Sequence, residues 1–154
     1  MTPVYLPAQA QDFEALLALR IRAMRPSLAR IGRFDPERAR ARFRDSFHPA
    51  ATCKIMLGDV CAGFYALRAL PDSLELDHLY IEPDQQGCGL GAAVLAHVFA
   101  HADAIGLPVH VGALRDSDSN RFYRRHGFVQ SGESEWDIHY ARPPAVVQAN
   151  STSG

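Results

Sequence analysis

The sequence predicts a single α/β domain, and three stretches carry that prediction. The first is a strand, Leu74–Ile81, followed by a turn at 82–86, a glycine-rich elbow at 87–91 and an amphipathic helix. In that helix Val94, Val98, Ala102 and Ile105 recur at steps of four and three, with Leu95 and Phe99 beside them, so one face is apolar. The second is a pair of apolar runs, Thr52–Leu57 and residues 60–68, joined by Gly58-Asp59, a two-residue link that signals a hairpin. The third is a strand, Val109–Leu114, with a short helix and a terminal strand pair after it.

Taken in order, residues 3–7 are a short strand candidate whose terminal prolines suggest an edge or a terminus. Asp12 is a candidate cap for a helix reaching about Met24, with Phe13, Leu16, Leu17, Leu19, Ala23 and Met24 as its apolar positions. Pro26 is expected to stop or kink it. A second helix should start at Asp35-Pro36-Glu37, with Asp35 as cap and Pro36 first inside, and run to about Phe47. The hairpin follows, and residues 70–73 turn into the strand Leu74–Ile81. Beyond the glycine helix, Gly106-Leu107-Pro108 ends one element before Val109–Leu114. Asp116 to Ser119 offer caps for a short helix through Arg125, and residues 126–130 and 133–141 complete a strand pair. The domain spans 1–142, and 143–154 read as a disordered C-terminal tail.

Composition excludes several classes. The chain has 154 residues, 47% of them hydrophobic and 21% charged, which is ordinary for one globular domain with a substantial core. A net charge of −1 gives no global attraction to nucleic acid or a membrane. No run approaches the length of an apolar membrane span and the N-terminus lacks a basic signal-peptide start, so a cytoplasmic location is expected. Cys53, Cys61 and Cys88 are odd in number and lack CxxC spacing, which points to neither a disulfide framework nor a zinc site. His97 and His101 are four apart on a helix, but no third ligand is in sight, so no metal is expected. Nine of the sixteen basic residues are arginines between Arg20 and Arg44. They read either as the solvated faces of two helices or as a rim that attracts an acidic substrate or cofactor phosphates.

A strand that delivers glycines to a helix N-terminus makes an anion site. The first-turn N–H groups have no intrahelical partner, the dipole favours negative charge, and the missing Cβ atoms let a phosphate reach the backbone. A Walker loop would need Gly-Lys-Ser/Thr, and the chain's one lysine is Lys54. Gly87-x-Gly89-x-x-Ala92 fits the dinucleotide pattern loosely, but no acidic residue ends a second strand at the required distance. The pattern Gln86-x-x-Gly89-x-Gly91, preceded by Leu79-Tyr80-Ile81-x-Pro83, resembles the pyrophosphate motif of the GNAT superfamily of acyl-CoA-dependent N-acyltransferases. Asn120-Arg121-Phe122-Tyr123, followed by Gly127-Phe128, resembles that family's second signature and lies 34 residues past Gly89. The resemblance covers roughly 55–140.

The resemblance implies a central mixed, mostly antiparallel sheet of about six or seven strands with about four flanking helices. It implies acetyl transfer from acetyl-CoA to an amine of a small molecule or peptide, without a covalent enzyme intermediate. The backbone of Leu79, Tyr80 and Ile81 would pair with the pantetheine arm. Amides of Gly87, Cys88, Gly89, Leu90, Gly91 and Ala92 would hold the pyrophosphate, with Gln86 at the loop entrance. Family members commonly carry an asparagine seven residues before the tyrosine, where this chain has Asp116; Asn120 is the nearby amide that would take over the cofactor contact. Tyr123 is the candidate general acid, because a phenol with a reference pKa of about 10 can return a proton to the CoA thiolate; packing beside Phe122 and Phe128 is its bland alternative.

On alternation alone, Glu75, Asp77 and Leu79 share one strand face, while Leu74, Leu76, His78 and Tyr80 share the other. A bulge would reverse which side His78 faces. Several family members place their base at the positions of Glu75 and Asp77, and paired carboxylates suit a base beside an amine-binding anion. A solvated face, or pairing with nearby arginines, is the alternative. Cys88 reads as a filler in the loop. Trp136, Asp137, His139 and Tyr140 read as either the acceptor pocket or an alternating strand. A non-catalytic acyl-CoA sensor is the rival to an enzyme, and Tyr123 favours catalysis. Homodimers through the last strands are common in the family.

Overall fold

The computed structural model describes residues 2–30, 32 and 35–145. Its centre is a seven-stranded sheet in the order β1-β2-β3-β4-β5-β7-β6. The strands are β1 (Val4–Pro7), β2 (Thr52–Leu57), β3 (Val60–Ala69), β4 (Leu74–Ile81), β5 (Val109–Leu114), β6 (Val129–Glu133) and β7 (Asp137–Arg142). The helices are α1 (Phe13–Arg30), α2 (Pro36–Ser46), α3 (Leu90–Ile105) and α4 (Ser119–Arg125). Every adjacent pair is antiparallel except β4 with β5, the pair bridged by the α3 crossover. No helix among the described residues is long and apolar enough to cross a membrane.

Local chemistry explains most boundaries. Asp35 caps α2, its carboxylate accepting from the Glu37 and Arg38 amides, and Pro36 occupies the first turn. The hairpin turns at Gly58, whose φ of 59° is in the left-handed region. Gly106, also left-handed, ends α3.

Two helix expectations are corrected. Pro26 does not stop α1, which continues to Arg30. Proline removes one hydrogen bond to the Arg22 carbonyl, at about 3 kcal/mol, but its fixed φ is helical. The buried Leu16, Leu17 and Leu19, with the Arg22–Glu82 ion pair, hold α1 to the sheet regardless. Asp12 is not a simple cap: it ends a 3-10 turn, accepts the Gln9 amide at 2.8 Å and pairs with Lys54 at 3.3 Å. The start of the expected tail is tied down where Ala145 donates its amide to Asp103; residues 146–154 lie outside the described part.

Apolar clusters cover both sheet faces. Val94, Leu95 and Val98 of α3 pack on Leu74, Leu76 and Val111. On the other face Leu16, Leu17 and Phe43 of α1 and α2 pack on Phe64.

β4 breaks the simple alternation. Its pairing with β3 slips between Ala66–His78 and Leu67–Leu76, so Asp77 is an extra, bulged residue. Before the bulge Leu74 and Leu76 face α3, and after it Leu79 and Ile81 do. His78 and Tyr80 instead meet Phe43 and Phe64. The one-face grouping of Glu75, Asp77 and Leu79 is therefore corrected, as is that of Leu76 with His78.

Candidate active site

A cleft opens where the sheet parts. β4 and β5 pair only over Leu74–Leu76 and Val109–Val111, so the rest of each strand faces the other without ladder bonds. The bulge at Asp77 starts where this pairing ends. Between the splayed strands lies a cavity of about 490 Å³, walled on one side by β4 and the glycine elbow and on the other by β5 and α4.

The elbow presents a bare helix N-terminus. Gly87 and Gly89 both hold left-handed φ values, 82° and 83°, which bend the chain into α3. An added Cβ on either would meet nothing within 4 Å, so the space above the loop is open. No side chain caps α3 and no acidic residue sits in its first turn, which leaves the early amides for an anion. Gln86 fastens the loop to β4 by donating to the Ile81 carbonyl at 3.0 Å. Cys88 is exposed, with its Sγ 2.8 Å from the Gln85 carbonyl.

Tyr123 of α4 lies on the opposite wall, 5% exposed, in an aromatic group with Phe122, Phe128 and Tyr140. Burial first, then the neighbouring Tyr80, pushes its phenol up, so it remains protonated at neutral pH. Tyr123 is buried because α4 packs its one apolar side onto the sheet, while Phe122 is only half-buried. Phe122, which the sequence offered only as a packing neighbour of Tyr123, packs on Gly91: a Cβ there would lie 3.0 Å from the ring tip. That close approach packs α4 against the glycine elbow.

The cleft brings together most of the predicted cofactor residues: Leu79, Tyr80, Ile81, Gln86, Gly87 and Gly89, then Leu90, Gly91, Ala92 and Tyr123. Cys88 and Asn120 do not line it. Asn120 is 8% exposed and turned inward, its amide donating to the carbonyls of Leu114 and Ser117 while its oxygen accepts from the Tyr140 hydroxyl at 2.8 Å. With both ends engaged, it fixes the start of α4 and is turned away from the cleft, where a pantetheine contact was expected. Its position after Ser117 could have signalled this local role.

A second cavity of about 390 Å³ lies across β4, under α1 and α2, and shares Met24, Leu76, Asp77, Tyr80, Gly112 and Leu114 with the first. Glu75 lines only this second one and Asp77 lines both. Both carboxylates are held by Arg68 of β3, at 3.1 and 2.9 Å. Arg68 faces Glu75 in the β3–β4 register, so only the strand pairing reveals it. His78 is 7% exposed and its pKa is lowered to about 4, by burial first and by the Arg20 charge second, so it is neutral at pH 7. Trp136, Asp137 and His139 line the second cavity, whereas Tyr140 is in the core. His97 stacks on Tyr5, and no group of metal-ligating residues occurs among the described residues.

The family described as Acetyltransferase (GNAT) domain matches residues 50–130. The peptidyl-lysine N-acetyltransferase YjaB of Escherichia coli (strain K12) is 32% identical over 62 residues, which is 40% of each chain. The match thus spans less than half of that relative. Among solved structures, PaiA N-acetyltransferase from Thermoplasma acidophilum, in complex with coenzyme A, has a TM-score of 0.77 at 16% identity, over 93% of this chain and 99% of that one. The ribosomal-protein-S18-alanine N-acetyltransferase from Escherichia coli has a TM-score of 0.71 at 16% identity, over 97% and 98%. At these identities the structural likeness is one of fold.

Proposed function

This chain belongs to the GNAT acetyltransferase family, and from that premise we propose that it moves an acetyl group from acetyl-CoA to a primary amine by direct attack in a ternary complex. One observation carries the reading. Two cavities meet at Asp77, Tyr80 and Leu114, and only the first has a glycine elbow at its mouth. The acyl donor belongs in the first cavity and the amine in the second, with the thioester at their shared wall.

Each residue's part follows from its position. The amides of residues 87–92 hold the pyrophosphate through hydrogen bonds and the helix dipole. The unpaired edge of β4 at Leu79, Tyr80 and Ile81 offers its backbone to the pantetheine as a neighbouring strand would. Tyr123 keeps its proton until a thiolate forms, then donates it. Asp77 touches both cavities and takes the proton that the attacking amine must lose, directly or through water. Glu75 adds negative charge for an ammonium, and Arg68 holds both carboxylates in place.

The test is calorimetric titration of the purified protein with acetyl-CoA, CoA and NAD, followed by thiol release with amine acceptors. Micromolar binding of acetyl-CoA, no binding of NAD, and amine-dependent thiol release are expected. Failure to bind any CoA species would overturn the reading. Binding without thiol release would favour an acyl-CoA sensor, against which the placement of Tyr123 in the cleft argues.

A further inference from the structure

Resting on the acetyl-transfer reading, we propose that the second cavity selects a small amine that also carries a carboxylate, in the manner of a free amino acid, with Arg20 as its anion anchor.

Arg20 sits on the apolar stripe of α1, four residues after Leu16 and four before Met24. It is 9% exposed, and its guanidinium lies 5.9 Å from the Phe43 ring centre and 5.6 Å from that of Tyr80. It forms no ion pair among the described residues, and its Nε is buried with no hydrogen-bond partner. By contrast Arg22, Arg40, Arg68, Arg115 and Arg142 each meet a carboxylate. A guanidinium taken out of water without a counter-ion is strongly unfavourable. This one lines a cavity, so an anionic guest supplies what the fold leaves out.

Its neighbourhood supports the same assignment. His78, also buried, leaves Nδ1 without a partner. Its Nε2 lies 3.2 Å from the Ser46 hydroxyl oxygen, itself 3.0 Å from the Arg42 carbonyl. Arg38 and Arg42, one turn apart on α2, add positive charge to the same wall. Asp35 reaches the cavity too, but its carboxylate is engaged in capping α2.

The sheet side is opposite in character: Glu75, Asp77 and Asp137 face the helical arginines across the cavity. A guest with an anion at one end and an ammonium at the other fits both walls and brings its amine to Asp77. The guanidinium fork matches a carboxylate in two parallel hydrogen bonds. The volume of about 390 Å³ is that of a small-molecule site.

Thiol release from acetyl-CoA is measured with free α- and ω-amino acids and with their carboxamides, which keep the amine and lose the charge. The best carboxylate acceptor should exceed its carboxamide in kcat/KM by about tenfold or more, as loss of a charge-assisted pair implies. Arg20→Met should erase that preference by raising KM for the acid, leaving the carboxamide and acetyl-CoA affinity unchanged. If Arg20→Met does not fold, the exposed double variant Arg38→Ala/Arg42→Ala should still lower the preference. Equal turnover of acid and carboxamide, or no turnover of any amino acid by protein that binds acetyl-CoA, would overturn this inference alone. Failure to bind acetyl-CoA would instead overturn the reading on which it rests.

Discussion

Gly89 offers the sharpest probe of the proposed phosphate loop, through the pair Gly89→Asp and Gly89→Asn. Its φ of 83° penalises any other residue, by about 1–2 kcal/mol, with Asn and Asp at the lower end. An added Cβ meets nothing within 4 Å, so neither variant has a clash to relieve. Both should therefore unfold at a similar temperature, about 2–8 °C below the parent. They differ in charge. A carboxylate about 5 Å from a phosphate oxygen repels it by about 1 kcal/mol at the dielectric of water and about 3 kcal/mol at that of a protein surface. The Asp variant should accordingly bind CoA about tenfold to a hundredfold more weakly than the Asn variant. The ratio should shrink as salt rises, because the Debye length falls from about 10 Å at 0.1 M to about 3 Å at 1 M. Calorimetric titration with CoA at both salt concentrations, alongside thermal unfolding, measures every term. Equal CoA affinity for the two variants would place the pyrophosphate elsewhere.

Other residues make separable claims. Tyr123→Phe should slow thiol release by about a hundredfold or more while changing acetyl-CoA affinity by less than about threefold, since it removes only the proton donor; a collapse in affinity would make the tyrosine a binding residue. Asn120→Ala should lower unfolding free energy by about 1–3 kcal/mol, because it strands the buried Tyr140 hydroxyl. Calorimetry on the folded variant should then find CoA affinity unchanged. The depressed His78 pKa makes a pH prediction. Its folded value is below the unfolded one, so its contribution is complete above pH 6.5 and is lost as pH falls towards about 4. Urea titrations should show stability falling by up to about 1.4 kcal/mol per pH unit in that window, and a His78→Gln variant should lack that increment.

Local features of the sequence stood for themselves. Asp35-Pro36 starts a helix, Gly58-Asp59 turns a hairpin and Gly87-x-Gly89 bends into α3, because capping, proline geometry and left-handed glycine act within a few residues. The limits of β2, β4 and β5 follow from runs of apolar residues in the same way. Arg20 stood in the sequence only as one of nine arginines on two helices, and its lack of a partner was not legible there. What the sequence could not decide is set between elements. The bulge at Asp77 exists only in the register of β4 against β3, and one extra residue exchanges the faces of everything after it. That exchange puts His78 and Tyr80 under α1 and α2, and leaves Asp77 at the boundary of two cavities. The pairing of Arg68 with Glu75 and Asp77, the inward turn of Asn120 and the burial of Tyr123 are likewise properties of packed neighbours. Local propensity selects the elements of this chain; where their side chains meet is fixed by strand register and by which helix covers which face.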